Sequence, residues 1–294
     1  MSFSGSAKSE LCSVPLNRIC CAAAEAYGAL LYANTFSARE IKFITASSDF
    51  ARRLSKLFTR AFGFGFDSAL EGARAVLSIR DPGKIRTVYR RYGYDPDALI
   101  AHHINLGVLE EDCCRAAFFR GVFLAGGSVT DPSLRCHLEL VTEHRSVSAE
   151  AYSLLLEMGF SPKDTVRAGR SMLYFKQSEA IEDFLTTIGA PGAAMGLMGA
   201  KIEKDMRNAI NRKVNCDSAN ADKIVSAAQA QLEHIRAVGL DRLPEDLRAV
   251  ALLRIANPEA SLADLAALSD PPVSKSGLSH RMRRLMRYPA EEKE

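Results

Sequence analysis

The sequence has no run of apolar residues long enough to span a bilayer and no apolar segment at its N-terminus. A membrane-spanning helix needs about 20 predominantly apolar residues, and a signal peptide needs a shorter apolar stretch behind its basic start. The opening MSFSGSAKSELC contains neither. We therefore expect a cytoplasmic protein without a membrane partner.

Metal-binding spacings are also absent. The seven cysteines form no CxxC pair, and the six histidines show neither HExxH spacing nor pairing with cysteine. An odd number of cysteines without a secretory signal indicates reduced thiols rather than a disulfide framework. We therefore expect no cofactor and no bound zinc.

Composition suggests two ordinary globular domains. The chain has 294 residues, of which 47% are hydrophobic and 25% are charged. Domains commonly contain about 100–200 residues, so this length suits two of them. The net charge of +3 is too small to identify a partner, so the position of the charges matters more.

An internal repeat organises residues 20–190. Each copy begins with a helix ending in small residues (Tyr27–Ser37, Phe118–Pro132) and continues as strand, helix, strand, helix. Gly63 and Gly159 differ by 96 positions, as do Gly93 and Gly189, and each predicts a helix end. The first copy's elements are predicted at 38–45, 49–62 with Asp49 as cap, 74–80 and 81–92, and the second copy's at 137–142, 148–158, 171–176 and 178–188. Matched order and stops indicate a duplicated α/β unit with two-fold pseudosymmetry.

The remainder of the chain is predicted to be helical. Residues 194–238 have a helical period, and the polar stretch 215–218 suggests two helices, the second capped by Ser218. A helix from about 244 to 256, a short helix capped by Ser261, the turn Asp270-Pro271-Pro272 and a last helix from Ser274 follow. This order is typical of a helix-turn-helix.

The last helix carries the residues that we expect to contact DNA. Between residues 274 and 287 there are five cationic side chains and no acidic one, and concentrated positive charge suits a phosphate backbone. Short polar donors at its N-terminal end suit base edges, while the later arginines suit phosphates. A solvated basic helix is the competing interpretation. The candidate DNA-binding residues are Ser274, Lys275, Ser276, Ser279, His280, Arg281, Arg283, Arg284 and Arg287.

The two small-residue helices have a structural and a functional interpretation. As structure, they are seams where two helices pack closely. Functionally, FFRGVFLAGGSV resembles the LAGLIDADG helix of homing endonucleases, in which the last acid of each helix binds the catalytic metals. When Gly121 and Gly28 are aligned with the first glycine of that motif, the positions of the metal-binding acids are occupied here by Gly126 and Ala33. Neither has a side-chain oxygen, so we expect no catalytic residue and no metal site there.

Six longer stretches resemble those of one family: SFSGSAKSEL, RGVFLAGGSVTDP, HLELVT, MRNAINRKVNCDSANADK, GLDRLPEDLR and PPVSKSGLSHRMRRL. This family is the WhiA transcription regulators of bacterial sporulation and cell division. The resemblance implies a degenerate LAGLIDADG domain, a helical connector, a helix-turn-helix similar to the promoter-reading domain of sigma factors, and no nuclease activity. Asn34 stands where relatives commonly have a glycine, and asparagine tolerates the left-handed turn.

Together these features predict an α+β chain: a pseudo-two-fold, duplicated LAGLIDADG-like α/β domain followed by an all-α helix-turn-helix domain. The expected bounds are 1–193, with halves of about 20–110 and 115–193, then a connector at 194–239 and the DNA-binding domain at 240–294. The expected function is sequence-specific regulation of transcription on double-stranded promoter DNA, with nucleoid association. Another transcription regulator or RNA polymerase is the expected protein partner.

Three other functions remain open: an active endonuclease, a maturase-like RNA binder, and a scaffold protein that does not bind nucleic acid. The duplicated domain could itself hold DNA through Arg39, Lys42, Arg135, Arg167 and Arg170, or it could be a docking platform. Glu40 and Glu139 make the charge there mixed. A fold does not carry its function with it, so the sequence leaves this role undecided.

Overall fold

The computed structural model describes residues 2–70, 72–97 and 101–289. The chain divides into two compact units, Met1–Lys204 and Asp205–Glu294. The last five residues of the predicted DNA-binding domain lie outside the described range. No helix in the described residues is long and apolar enough to cross a bilayer.

The first unit repeats one order of elements, as the sequence predicts. After α1 (Phe3–Ser13) come α2 (Ile19–Leu31), β1 (Thr35–Phe36), β2 (Ile41–Thr45), α3 (Ser48–Phe62), β3 (Ser68–Leu70), β4 (Ala75–Ile79) and α4 (Pro82–Arg91). The same order returns as α5 (Asp112–Gly126), β5 (Gly127–Val129), β6 (Leu138–Thr142), α6 (Arg145–Glu157), β7 (Lys163–Arg167), β8 (Arg170–Phe175) and α7 (Ser178–Ile188). A long helix, α8 (Pro191–Val238), begins in this unit.

Each half contains an antiparallel sheet of four strands. The strand orders are β1-β2-β4-β3 and β5-β6-β8-β7, so the two sheets have the same topology. Phe43 pairs with Leu77 in one sheet and Leu140 with Leu173 in the other, and all four are buried. Because side chains alternate across a strand, this register gives each sheet one face covered by helices and one outer face.

Helices α2 and α5 pack against each other along the axis that relates the halves. A Cβ atom on Gly28 would lie 2.1 Å from the carbonyl oxygen of Phe118, and one on Gly121 would lie 2.0 Å from that of Glu25. Real side chains cannot approach a main chain so closely. The glycines are therefore required by the contact itself, which confirms that these helices form a close-packed seam.

A buried ionic cluster, which we did not predict, lies beside this seam. Glu25 is fully buried on α2 and forms ion pairs with Arg53 of α3 and Arg120 of α5. Arg53 Nη1 also donates to the carbonyl oxygens of Cys12 and Val14, at 3.0 and 2.8 Å. Arg120 Nε donates to the Ile188 carbonyl at 2.6 Å. These hydrogen bonds offset the cost of burying the charges.

The second unit contains the C-terminal part of α8 and three shorter helices, α9 (Glu245–Ala256), α10 (Leu262–Leu268) and α11 (Lys275–Leu285). Its core is formed by apolar side chains of all four helices, among them Ile235, Val250, Leu265, Leu278 and Met282. The order of helices and turn agrees with the predicted helix-turn-helix.

Several local predictions were wrong. Residues 194–238 lie within one continuous helix, α8, so there is no break at 215–218 and no cap at Ser218. Asn, Asp and Ser favour helix ends, but nothing between residues 200 and 238 breaks the helix, since this range has no glycine or proline. Ser47 rather than Asp49 caps α3, by accepting the Phe50 amide. Helix α6 begins three residues earlier than predicted.

Candidate nucleic-acid interface

Side-chain caps at the starts of two helices, α10 and α11, position the candidate recognition helix. Ser261 and Asp264 form a capping box at the start of α10, as predicted. Ser274 caps α11, because its hydroxyl accepts a hydrogen bond from the Gly277 amide at 3.1 Å. Each cap satisfies main-chain N–H groups that would otherwise lack partners, so the turn and both helix starts are well defined.

Apolar residues of α11 hold it against the unit's core. Leu278, Met282 and Leu285 are buried, and they recur at three- and four-residue spacing on one face. The Leu285 carbonyl accepts a hydrogen bond from Nε2 of His234 on α8 at 3.0 Å, and the Tyr288 hydroxyl donates to the Arg242 carbonyl at 2.9 Å. These contacts fix which face of α11 meets solvent.

A buried arginine that was not predicted from the sequence supports the same unit. Arg254 on α9 is 2% exposed, and its Nε donates to Gln231 Oε1 on α8 at 2.9 Å. Its Nη1 donates to the Ala260 carbonyl at 2.6 Å, in the loop before α10. Arg254 therefore ties α8 and α9 to this loop. The sequence does carry one signal for this burial: Arg254 follows Ala251 on the apolar face of α9, before the helix ends.

The nine predicted DNA-binding residues do not share one environment. Lys275, His280, Arg283 and Arg287 are exposed, and their side chains make no ion pair or hydrogen bond within the part of the chain that the structure describes. They remain available to an external ligand. Ser276 is exposed, while Ser279 and Arg281 are only partly exposed.

Three of the nine, Ser274, Ser276 and Arg284, already have internal partners. The Ser274 hydroxyl is occupied by its capping bond and by a 3.0 Å contact with the Ser276 hydroxyl. Arg284 Nη1 donates to Asp246 Oδ2 of α9 at 2.7 Å, and both side chains are about half exposed. Ser274 and Arg284 thus serve first to build the unit, which makes them poorer candidates for direct DNA contacts.

The positions that match the metal-binding acids of homing endonucleases, Ala33 and Gly126, lie at the C-terminal ends of α2 and α5. Ala33 follows α2, and Gly126 is the last residue of α5. Both line a cleft of about 480 Å³, whose one carboxylate in the described residues is Glu143. A Cβ atom on Gly126 would lie 2.6 Å from both Tyr32 Cδ1 and the Val141 carbonyl oxygen. Even the first atom of an acidic side chain does not fit there.

The acidic residues that follow Gly126 in the sequence, Asp131 and Glu139, form hydrogen bonds with other residues. Asp131 Oδ1 accepts hydrogen bonds from the amide and hydroxyl of Ser133, and these bonds hold the pKa of Asp131 below its usual value. Glu139 on β6 accepts from the Ser128 hydroxyl at 3.0 Å. Asp131 therefore stabilises a turn, and Glu139 is part of a strand.

The turn after α2 is built differently from the prediction. Asn34 was expected to suit a left-handed backbone, but it does not have a positive φ angle. Its side-chain oxygen instead accepts a hydrogen bond from the Ile44 amide at 2.6 Å, across the β1–β2 hairpin. The side chain, rather than an unusual backbone, holds this turn.

The basic residues of the sheets are scattered and partly paired. Arg170 Nη2 lies 3.2 Å from Glu143 Oε1, and it stands opposite Arg167 in the β7–β8 register. Lys42 is half-buried on β2, while Arg39 and Arg135 are exposed in turns. The sheets therefore present a weaker concentration of free positive charge than α11.

Comparisons with known proteins agree with both units. Two family models match: the WhiA LAGLIDADG-like domain over residues 115–207 and the WhiA C-terminal HTH domain over residues 210–288. The probable cell division protein WhiA of Ruminiclostridium cellulolyticum is 36% identical over 301 residues, which cover 97% of this chain and 96% of the relative. The protein of the same name from Heliobacterium modesticaldum is 36% identical and covers 97% and 95%.

A solved structure shows the same fold along the whole chain. Full-length DUF199/WhiA from Thermatoga maritima is 24% identical and has a TM-score of 0.60, covering 97% of both chains. The fold and its site define a degenerate LAGLIDADG-like domain joined to a helix-turn-helix domain. The 36% identity to curated relatives over nearly its full length shows more: this chain belongs to the WhiA family.

Proposed function

We propose that this chain is a sequence-specific DNA-binding regulator of transcription, with α11 as its recognition helix. The observation that carries this proposal is a set of exposed side chains without partners among the described residues: Lys275, His280 and Arg283 on α11, and Arg287 just beyond it. The buried Leu278, Met282 and Leu285 hold this helix. A capped helix with free cations along its exposed side suits the major groove of duplex DNA.

The relatives are named cell division proteins, and we extend this role to the present chain. Control of cell division, chromosome segregation and sporulation genes is the physiological function that we propose. It implies association with the nucleoid in the cytoplasm. Another transcription regulator or RNA polymerase is the proposed protein partner, since a promoter-bound regulator must act on one of them.

The duplicated domain is proposed to be a scaffold without nuclease activity. Two-metal cleavage of DNA needs acidic ligands close to the scissile phosphate. Ala33 and the crowded backbone at Gly126 provide none, and Glu143 is already paired with Arg170. Incubation of plasmid DNA with the full chain and magnesium should leave the plasmid intact, and nicking would contradict this point.

The residue classes of α11 give a specific test. Lys275 at the first position of α11 and His280 in its middle should read base edges, whereas Arg287, just beyond its C-terminal end, should contact phosphate. Selection from random duplex DNA by the full chain should yield a motif, and Lys275→Ala or His280→Ala should relax it. Arg287→Ala should weaken binding to every sequence about equally. An unchanged motif and affinity in all three variants would show that α11 does not read DNA.

A maturase-like function on the outer faces of the sheets is the second candidate. It is supported by Arg167 and Arg170, which lie together at the β7–β8 hairpin. Competition between structured RNA and promoter duplex for the full chain separates the two proposals. A preference for the RNA that persists when residues of α11 are substituted would support RNA binding by the sheets.

A further inference from the structure

Four cysteines from distant parts of the chain meet where α2 and α5 begin. Cys20 and Cys21 lie in the first turn of α2, and Cys113 and Cys114 lie in the first turn of α5. Their four Sγ atoms are all within 4.8 Å of one another, and those of Cys20 and Cys21 are 4.0 Å apart. All four thiols are free of disulfide bonds.

The internal repeat generates this cluster. Cys113 follows Cys20 by 93 positions (113 − 20), and Cys114 follows Cys21 by the same number (114 − 21). Gly28 and Gly121, the closest points of the helix seam, also differ by 93 (121 − 28). Each half therefore contributes one adjacent pair at the same helical position, and the packing of α2 on α5 brings the two pairs together.

The geometry fits a single thiophilic metal ion. Zinc bound by four cysteines is tetrahedral with Zn–S distances of about 2.3 Å, so its sulfurs lie roughly 3.8 Å apart. The observed spacing needs only small side-chain rotations to reach this arrangement. Sulfurs that lie so close together leave room for one ion and not for a cluster of several metal atoms.

Positive groups lie next to the cluster and oppose the burial that raises the pKa of Cys21 and Cys114. Neither α2 nor α5 has a side-chain hydrogen bond capping its N-terminus, so the positive ends of both helices face the sulfurs. Arg18 Nη1 lies 3.6 Å from Cys113 Sγ and supplies a full positive charge. Glu111 and Asp112 stand nearby with opposing charge, but both are exposed to solvent, which screens them.

Burial is graded across the cluster in a way that suits a bound ion. Cys114 is 3% exposed, Cys21 and Cys113 are intermediate, and Cys20 is exposed. An ion can therefore enter from the side of Cys20, while Cys114 shields it from the interior side. Unlike the cleft at the opposite ends of the same helices, this site has four soft ligands and suits a structural metal rather than a hydrolytic one.

We propose that Cys20, Cys21, Cys113 and Cys114 form a structural zinc site that joins the two halves of the duplicated domain. Binding deprotonates the thiols, whose protons pass to solvent, and ties the N-terminal ends of α2 and α5. No zinc was expected from the sequence because its cysteines include no pair separated by two residues. The available signal was an adjacent cysteine pair that recurs at the period of the repeat.

The test uses the full chain, purified with a reducing agent, stripped with a chelator and titrated with zinc against a chromophoric chelator. One zinc ion per chain is expected, and cobalt in its place should show the absorption of tetrahedral cobalt thiolate. Cys113→Ser with Cys114→Ser should weaken zinc affinity by about 100-fold or more, since removing even a residue that only supports a ligand costs about 10–100-fold. Cys136→Ser with Cys216→Ser is the matched control and should bind zinc normally.

A second variant keeps the test decisive if loss of the buried Cys114 thiol prevents folding. Cys20→Ser with Cys21→Ser changes the more exposed pair and should lose zinc while retaining the far-ultraviolet circular dichroism of the parent. Zinc bound equally well by this variant and by the control would overturn the proposal. So would a parent chain that binds much less than one ion and instead forms disulfides among these cysteines on mild oxidation.

Discussion

Substitution of Gly121 by alanine is the sharpest test of the helix seam. Its new Cβ atom would lie 2.0 Å from the Glu25 carbonyl oxygen and 2.8 Å from the Ala29 amide nitrogen, whereas ordinary contacts begin near 3.4 Å. The helices would have to separate locally by about 1.4 Å (3.4 − 2.0). Both obstructing atoms belong to the main chain of α2, so no side-chain rotation relieves the clash.

The expected loss of stability follows from two opposing effects. Overpacking of a close-packed interior costs about 1–3 kcal/mol, and a rigid main-chain neighbour argues for the upper end. Replacing glycine by alanine inside a helix returns about 1 kcal/mol. We expect a net loss of about 2 kcal/mol, which lowers the melting temperature of a unit of this size by about 4–8 °C.

Thermal unfolding of the full chain by calorimetry measures this change in the transition of the first unit. Gly199→Ala is the matched control, because Gly199 lies in α8 and a Cβ atom added to it would meet no atom of the described residues within 4 Å. Without a clash, the control should gain about 0.5–1 kcal/mol. If both variants shift the melting temperature equally, the close approach of α2 and α5 is refuted.

Three further predictions concern the first unit. Glu25→Gln leaves Arg53 and Arg120 buried without a charged partner and should cost about 3–5 kcal/mol in urea unfolding, whereas Glu40→Gln, in an exposed pair with Arg80, should cost less than about 1 kcal/mol. Gly126→Asp should lower the melting temperature and still give no magnesium-dependent cleavage, because no space exists for its side chain; restored cleavage would contradict our account of the site. Hydrogen bonds from Lys84 and from the Asp81 and Arg80 amides lower the pKa of Asp67 from 3.8 to about 2, so its stabilising contribution should be present above pH 3.8 and be lost as the pH falls toward 2. Asp67→Asn should flatten the melting temperature across that range, and an unchanged acid profile would show that this carboxylate does not matter.

The elements with their own sequence signals were predictable. Short stretches rich in apolar and β-branched or aromatic residues at 41–45 and 171–175 identified the central strands, and the glycines at 63 and 189 marked helix ends where the backbone has a positive φ angle. The capped α10 and the basic α11 were equally clear, because caps and charge depend on neighbouring residues alone.

The edge strands β3 and β7 were overlooked because they bury no apolar face of their own. All residues of β3 and β7 are exposed, and these strands exist because they hydrogen-bond to β4 and β8. Without burial there is no alternation to detect. The continuity of α8 was also not predicted. Its polar residues 215–218 favour helix ends, but they are tolerated inside this helix.

Features that depend on contacts between residues far apart in the sequence could not be predicted. Nothing in the sequence indicates that Glu25 meets Arg53 and Arg120, because 28 and 95 positions separate them. The candidate DNA-binding residues were proposed from their charge and their short polar side chains. The internal hydrogen bonds of Ser274 and Arg284 could be seen only in the structure.

The salt dependence of DNA binding tests the central claim most directly. Binding of the full chain to its selected duplex is measured by fluorescence anisotropy over a range of salt concentrations. A triple variant, Lys275→Ala with Arg283→Ala and Arg287→Ala, is compared with Arg86→Ala, Arg90→Ala and Arg91→Ala, which remove three exposed cations from α4. We predict that the α11 variant alone flattens the logarithmic salt slope, by about 0.9 for each phosphate that is no longer neutralised. Equal slopes in both variants would contradict the assignment of DNA binding to α11.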